Sequence, residues 1–212
     1  TETEIIPYST LEKFISSDDV VYKVYNTNNP GMIFSWGKLD VDATGFGYDL
    51  MRHSKAFFCA SSELIRLYDE GNDLRFSRYY DKYDFNNYDE GIFYVATKNY
   101  CKASTANEAY DQALRLEEAY LNRAEAYIEK GEYELGMDDV NAIRAERIKG
   151  EYELVANSVD EAREFYRLEK RLEFSFEGLR WFDIRRWGLE IEHLYQDYST
   201  PTGINHYGLK AG

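Results

Sequence analysis

Between Leu168 and Gly188 the chain reads LEKRLEFSFEGLRWFDIRRWG, a stretch that packs carboxylates and guanidiniums among large aromatic rings. Two kinds of chemistry use such a mixture. An acid and a base held in an apolar setting can trade protons with a substrate. The same groups can instead cancel one another as ion pairs, because an unpaired buried charge is very costly. Glu169, Glu173 and Glu177 stand four apart, so on a helix they form one stripe that repels itself by a few tenths of a kcal/mol per pair. That stripe needs bases from outside, and Arg144 and Arg147, upstream, are suitable ones. Glu177, Arg180, Asp183 and Arg186 alternate in sign at steps of three, and a guanidinium fork serves two carboxylate oxygens at once. Charge that is self-complementary and interleaved with apolar groups favours a structural network over a reaction centre.

Other chemistry is thinly represented. Asp40-Val41-Asp42-Ala43-Thr44-Gly45 imitates the opening of a calcium loop, but its twelfth position is Met51, where a bidentate Glu belongs. A polar turn is the expected reading there. His53, His193 and His206 are isolated and lack metal-site spacing. Neither a phosphate-binding glycine loop nor a nucleophile elbow is present. No carboxylate pair is singled out by an apolar setting that could raise one pKa, so the chain is read as no enzyme, without cofactor or metal. Cys59 and Cys101 could pair in an oxidising compartment or remain two thiols.

Aromatics are the compositional anomaly, at 17% of the chain with 20 Tyr, and raise the question of stacked ligands. A flat ring lies well against the apolar face of a sugar, with neighbouring polar groups serving its hydroxyls. The irregular first half is where loops could present such rings. Trp36, Tyr48, Tyr79, Tyr80 and Tyr83 are the candidate ligand-binding residues. A net charge of -14 repels nucleic acid and anionic membrane surfaces. No apolar stretch is long enough to span a bilayer, and Thr1-Glu2-Thr3-Glu4 does not read as a targeting signal.

The elements that must position these groups fall in two halves. Residues 1–105 read as loop-rich: a short helix from Ser9 or Thr10 to Ile15, a strand over Val20 to Tyr25, a turn at Asn26 to Gly31, and a returning strand over Met32 to Trp36. Ser61 or Ser62 caps a helix over Glu63 to Tyr68. Phe76 to Tyr88 reads as irregular and Ile92 to Thr97 as a strand. Helix is expected from about residue 105, with a capping box at Thr105 to Glu108. Leu116, Tyr120, Ala124, Tyr127 and Ile128 share one face, Gly131 turns, and Leu135, Val140 and Ile143 face inward on the next helix. A third helix runs from Val159 to Glu177, unless Gly178 breaks what would otherwise continue. On it Phe165, Leu168, Leu172, Phe176 and Leu179 share one face while Phe174 and Trp181 point away, which describes a sandwiched helix. Tyr120, Ala124, Tyr127, Gly131, Tyr133 and Gly136 match a single tetratricopeptide unit.

The run from Glu169 through Arg171, Glu173, Phe176, Glu177, Gly178, Arg180, Phe182, Asp183, Arg185, Arg186 and Trp187 to Gly188 resembles the C-terminal signature of the SusD/RagB family. Lys170 stands where that family more often has arginine. Leu114-Arg115-Leu116 with Ala119 to Tyr127 and Gly131 resembles a second block. Ser62-Glu63-Leu64, Leu67-Tyr68-Asp69 and Asp73-Leu74-Arg75 resemble a third. The resemblance implies a mainly α, SusD-like helical fold with one tetratricopeptide-like helix pair and a minor β-hairpin. As a single domain it would divide into a loop-rich region (1–105), a helical region (106–190) and an irregular tail (191–212). It also implies an outer-membrane lipoprotein at the extracellular face of Bacteroidota-type cells. Such a protein binds glycans, or peptides in some branches, and works with a SusC-like TonB-dependent transporter. Its membrane attachment would be a lipid anchor that this sequence does not contain, and the chain is expected to be a C-terminal portion. A tetratricopeptide-type adaptor is the alternative from another class.

Overall fold

A computed structural model describes residues 4–7, 29–36, 60–84, 92–96, 112–197 and 203–209. The chain divides into two units, Thr1–Glu173 and Phe174–Gly212.

The first unit is built on three helices: α3 (Leu116–Glu129), α4 (Tyr133–Ala145) and α5 (Val159–Glu173). Leu121, Ala124 and Ile128 of α3 meet Met137, Val140 and Ile143 of α4 in the core, with Ala162, Tyr166 and Leu172 from α5. Each large aliphatic side chain buried in this way contributes about 1.5–3 kcal/mol. Glu117 and Glu118 occupy the first turn of α3, where carboxylates favour the helix dipole. The turn after α3 depends on Gly131, held at φ 85°, a backbone shape that side chains resist. Gly136 lets the pair close: a Cβ there would lie 2.6 Å from Ile128 Cγ1 and 2.9 Å from the Ala124 carbonyl oxygen. The expected tetratricopeptide-like pair is therefore present, and the small residues do the packing that the sequence assigned to them.

Ser158 caps α5: its Oγ accepts from Glu161 N at 3.2 Å, while Glu161 Oε2 accepts from Asn157 N at 2.7 Å, one residue ahead of the cap. Asn141 pins the loop before it, exchanging two 2.9 Å hydrogen bonds with the Leu154 backbone. Ahead of these helices lie α1 (Ser62–Ile65), capped by Ser61, and α2 (Leu74–Tyr79), capped by Asp73. Among the described residues three strand pairings are present, all antiparallel. In the first unit β1 (Met32–Trp36) pairs β4 (Gln112–Arg115), and β2 (Tyr80–Asp84) pairs β3 (Ile92–Ala96). In the second unit α6 (Arg180–Trp187) precedes a hairpin of β5 (Ile191–Asp197) and β6 (Gly203–Leu209).

Several expectations are corrected. Met32 to Trp36 is a strand, but its described partner is β4, so Gln112 to Arg115 is extended where helix was expected. Phe76 to Tyr88 is not wholly irregular: it contains the end of α2 and β2. The tail is a hairpin, not an irregular segment, over its described residues. The third helix ends at Glu173, four residues early, and the backbone then reverses at Phe176 (φ 62°) and Gly178 (φ 80°). The apolar phasing of that helix also fails. Its buried residues include Ala162, Tyr166, Glu169, Leu172 and Glu173, whereas Leu168 is 36% exposed. Trp181 is 53% exposed, so no continuous sandwiched helix carries it. The error has one cause: the apolar residues were taken to mark the buried face, whereas Glu169 and Glu173, expected to need arginine partners, are themselves in the core. The short helix before Ile15, the strand over Val20 to Tyr25 and the cap at Thr105 to Glu108 lie outside the described residues.

Candidate functional site

Glu173, at the end of α5, is fully buried and collects three arginines. Its Oε1 accepts from Arg115 Nη1 at 3.0 Å and Arg147 Nη2 at 3.3 Å; its Oε2 accepts from Arg147 Nε at 3.0 Å and Arg75 Nη1 at 3.4 Å. Tyr79 Oη donates to Oε1 as well, at 3.2 Å. One turn earlier, Glu169 takes Arg75 Nη1 at 2.6 Å on Oε1 and Arg144 Nη1 at 3.1 Å on Oε2. Glu117 closes the other side, accepting from Arg147 Nη2 at 2.8 Å on Oε1, with Oε2 3.1 Å from Arg115 Nη1. Asp73 holds Arg75 through Nε and Nη2 at 2.9 and 2.8 Å, while accepting from Arg75 N. Four carboxylates thus face four guanidiniums.

The local folds explain how each group arrives. Asp73 is the N-cap of α2, which puts Arg75 two residues into the helix. Arg115 ends β4 and Glu117 is the second residue of α3, so a single strand-to-helix junction supplies both signs. Arg147 follows α4, and its Nη1 also donates to the Ile6 carbonyl oxygen at 2.9 Å, tying the N-terminal segment to the cluster. Burial works against the charges on Arg75 and Arg147. Asp73 and Glu169 around Arg75, and Glu173 beside Arg147, outweigh that and raise both guanidiniums above the ordinary value. Burial, and then the Glu173 carboxylate, push the Tyr79 phenol well above its usual range. Tyr79 therefore remains a proton donor.

This arrangement suits structure better than catalysis. Glu173 has its lone pairs occupied by five donors from four residues and cannot also serve as a general base for a substrate. The expected partners Arg144 and Arg147 are both in place. In the alternation beyond Glu173, Asp183 pairs with Arg186 at 2.8 Å. Sequence reasoning missed Asp73, Arg75, Arg115 and Glu117 as members. A usable signal was there: three of them lie in the resembling blocks Asp73-Leu74-Arg75 and Leu114-Arg115-Leu116, and Glu117 follows directly.

Of the candidate ligand residues, Tyr79 belongs to this cluster through its bond to Glu173. Tyr79 and Tyr80 are interior, 2% and 4% exposed, and Tyr80 Oη lies 3.2 Å from Tyr68 Oη. Trp36 is the last residue of β1, and Tyr83 sits in β2 opposite Phe93. Tyr48 lies outside the described residues, as do Asp40 to Gly45, His53, Cys59 and Cys101. His193 and His206 occupy successive register positions of the β5–β6 hairpin. Among the described residues no group of three or more His, Cys, Asp or Glu is placed to hold a metal ion. No described helix is long and apolar enough to cross a membrane.

Comparison with known proteins bears on the whole chain. No curated protein matches it. Two solved structures are similar in fold. One is a SusD-like protein from Bacteroides fragilis, at 18% identity and TM-score 0.51, matched over 99% of this chain and 52% of its own. The other is a SusD-like carbohydrate binding protein from Bacteroides vulgatus, at 18% identity and TM-score 0.59, matched over 96% and 46%. The chain therefore spans about half the length of these structures. The model of the SusD family matches residues 22–208, a range that contains all four carboxylates and all four guanidiniums of the buried cluster together with the C-terminal signature, and the chain belongs to that family.

Proposed function

We propose that this protein binds nutrient glycans at the outer face of the outer membrane and delivers them, without breaking a bond, to a SusC-like TonB-dependent transporter. Membership of the SusD family is the observation that carries this reading. The cluster around Glu173 supports it from another direction, since Glu169 and Glu173 of the densest acid–base stretch are taken up by internal pairing. Trp36, Tyr48 and Tyr83 are the proposed ligand contacts. Tyr79 and Tyr80 keep a supporting role, because their rings are packed inside. Peptides are the second ligand class, as in a RagB-like variant. The helix pair α3–α4 favours an adaptor as the alternative, but one repeat is present among the described residues where about three are usually needed.

The test is retardation of the chain in native gels cast with individual polysaccharides, alongside pull-down from solubilised outer membranes. Retardation by at least one neutral glycan and recovery of a large TonB-dependent barrel support the proposal. Retention of peptides alone would move it to the second class. Recovery of soluble protein partners, with neither glycan nor barrel, would favour the adaptor.

A further inference from the structure

The eight-residue helix α6 turns two large aromatic rings toward water. Trp181 is 53% exposed and Phe182 is 66% exposed. Its other polar groups are largely committed. Arg186 donates to Asp183 Oδ1 at 2.8 Å and lies over the Trp187 ring, 4.7 Å from its centre. Gly188, left-handed at φ 63°, closes the helix, with Leu189 N bonded to the Ile184 carbonyl oxygen at 3.0 Å. Arg185 differs: it is exposed and has no side-chain partner among the described residues. It stands four residues after Trp181 and three after Phe182, and so shares their face of the helix.

We propose that Trp181, Phe182 and Arg185 form a binding platform for acidic glycans, those carrying uronic-acid carboxylates. The proposal rests on the glycan-binding reading and names a ligand class and a place for it. Four residues rise about 6 Å along a helix, a distance on the scale of one sugar ring. A uronate stacked on Trp181 brings its carboxylate within reach of the Arg185 fork, which can bind it bidentately. Stacking alone would not distinguish an acidic sugar from a neutral one; the uncommitted guanidinium does. The chain as a whole is acidic, at -14, so long-range repulsion opposes a polyanion. Screening confines that repulsion to about 8 Å at physiological ionic strength, and a direct contact pair survives it better.

The experiment is affinity electrophoresis of the full 212-residue chain in gels containing polygalacturonate or a neutral cellulose ether. Wild type is expected to be retarded by polygalacturonate. W181A and R185Q should each weaken that retardation at least about tenfold, the scale of losing one partner of a contact charge pair. R185K should retain part of it. R185Q should leave retardation by the neutral polymer unchanged. Both sites are exposed, and an unchanged far-ultraviolet circular dichroism spectrum checks the fold. The proposal is overturned if wild type ignores polygalacturonate, or if R185Q binds it as wild type does. It is equally overturned if polyglutamate competes fully while W181A has no effect, which would mark the site as a simple cation for acidic peptides. Retardation by the neutral polymer with none by polygalacturonate overturns this proposal and leaves the glycan-binding reading standing.

Discussion

At the scale of residues, Glu173 decides more than any other side chain. It satisfies parts of Arg75, Arg115 and Arg147 together, all three fully buried. Removing one partner from such a cluster leaves charge stranded in the interior, which typically costs about 3–5 kcal/mol. Glu173→Gln is therefore expected to lower the unfolding free energy by that amount in chemical denaturation. Arg171→Ala is the control: its 2.9 Å pair with Glu63 is at the surface, where a loss under about 1 kcal/mol is expected. Equal effects would remove the distinction between the two kinds of charge. Tyr79 makes a separate prediction through pH. Its folded pKa is raised above the ordinary value of 10.0, so the folded state holds a proton that the unfolded chain loses. Stability from this group is complete below about pH 10 and declines as pH rises past it. Tyr79→Phe should cost about 1–3 kcal/mol near neutrality, for the lost hydrogen bond to a charged acceptor, and should flatten the alkaline decline. An unchanged alkaline slope in denaturation midpoints would assign that decline to other tyrosines.

At the scale of elements, the helix pair was legible and the faces of α5 were not. Tyr120, Ala124, Gly131 and Gly136 announce their packing because small residues and a left-handed turn have few other uses. Gly136→Ala is expected to destabilise by about 1–3 kcal/mol, since the added methyl meets Ile128 and the Ala124 carbonyl. A variant as stable as wild type in thermal melts would mean that the two helices have room to separate. In α5 the apolar residues alone gave the wrong face. Glu169 and Glu173 are core residues whose partners come from distant positions such as Arg75 and Arg115, which no local period reveals. The strand at Gln112 to Arg115 was hidden for the same reason: its extension is fixed by pairing with β1, far away in sequence. The start of α5 at Val159, by contrast, was legible, and Ser158 caps it there by accepting from Glu161 N.

At the scale of the whole molecule, the family was legible because the ion cluster spreads its members over the same blocks that carry the signature. Those blocks describe how the protein is held together. They say little about ligand, and of the five aromatic candidates Tyr79 and Tyr80 proved to be interior. Tyr79 ends α2 and Tyr80 begins β2, elements too short to show a period in the sequence, so composition alone could not sort them. Trp36→Ala, Tyr48→Ala and Tyr83→Ala are each expected to weaken glycan retardation several-fold without changing the stability of the cluster; three neutral substitutions would move the ligand site elsewhere. The central claim, binding without turnover, is tested most directly by calorimetric titration of the chain with a retarding polysaccharide, followed by a reducing-end assay on the same sample. The account predicts heat of binding and no new reducing ends after prolonged incubation. Accumulation of new reducing ends in proportion to protein concentration would contradict it.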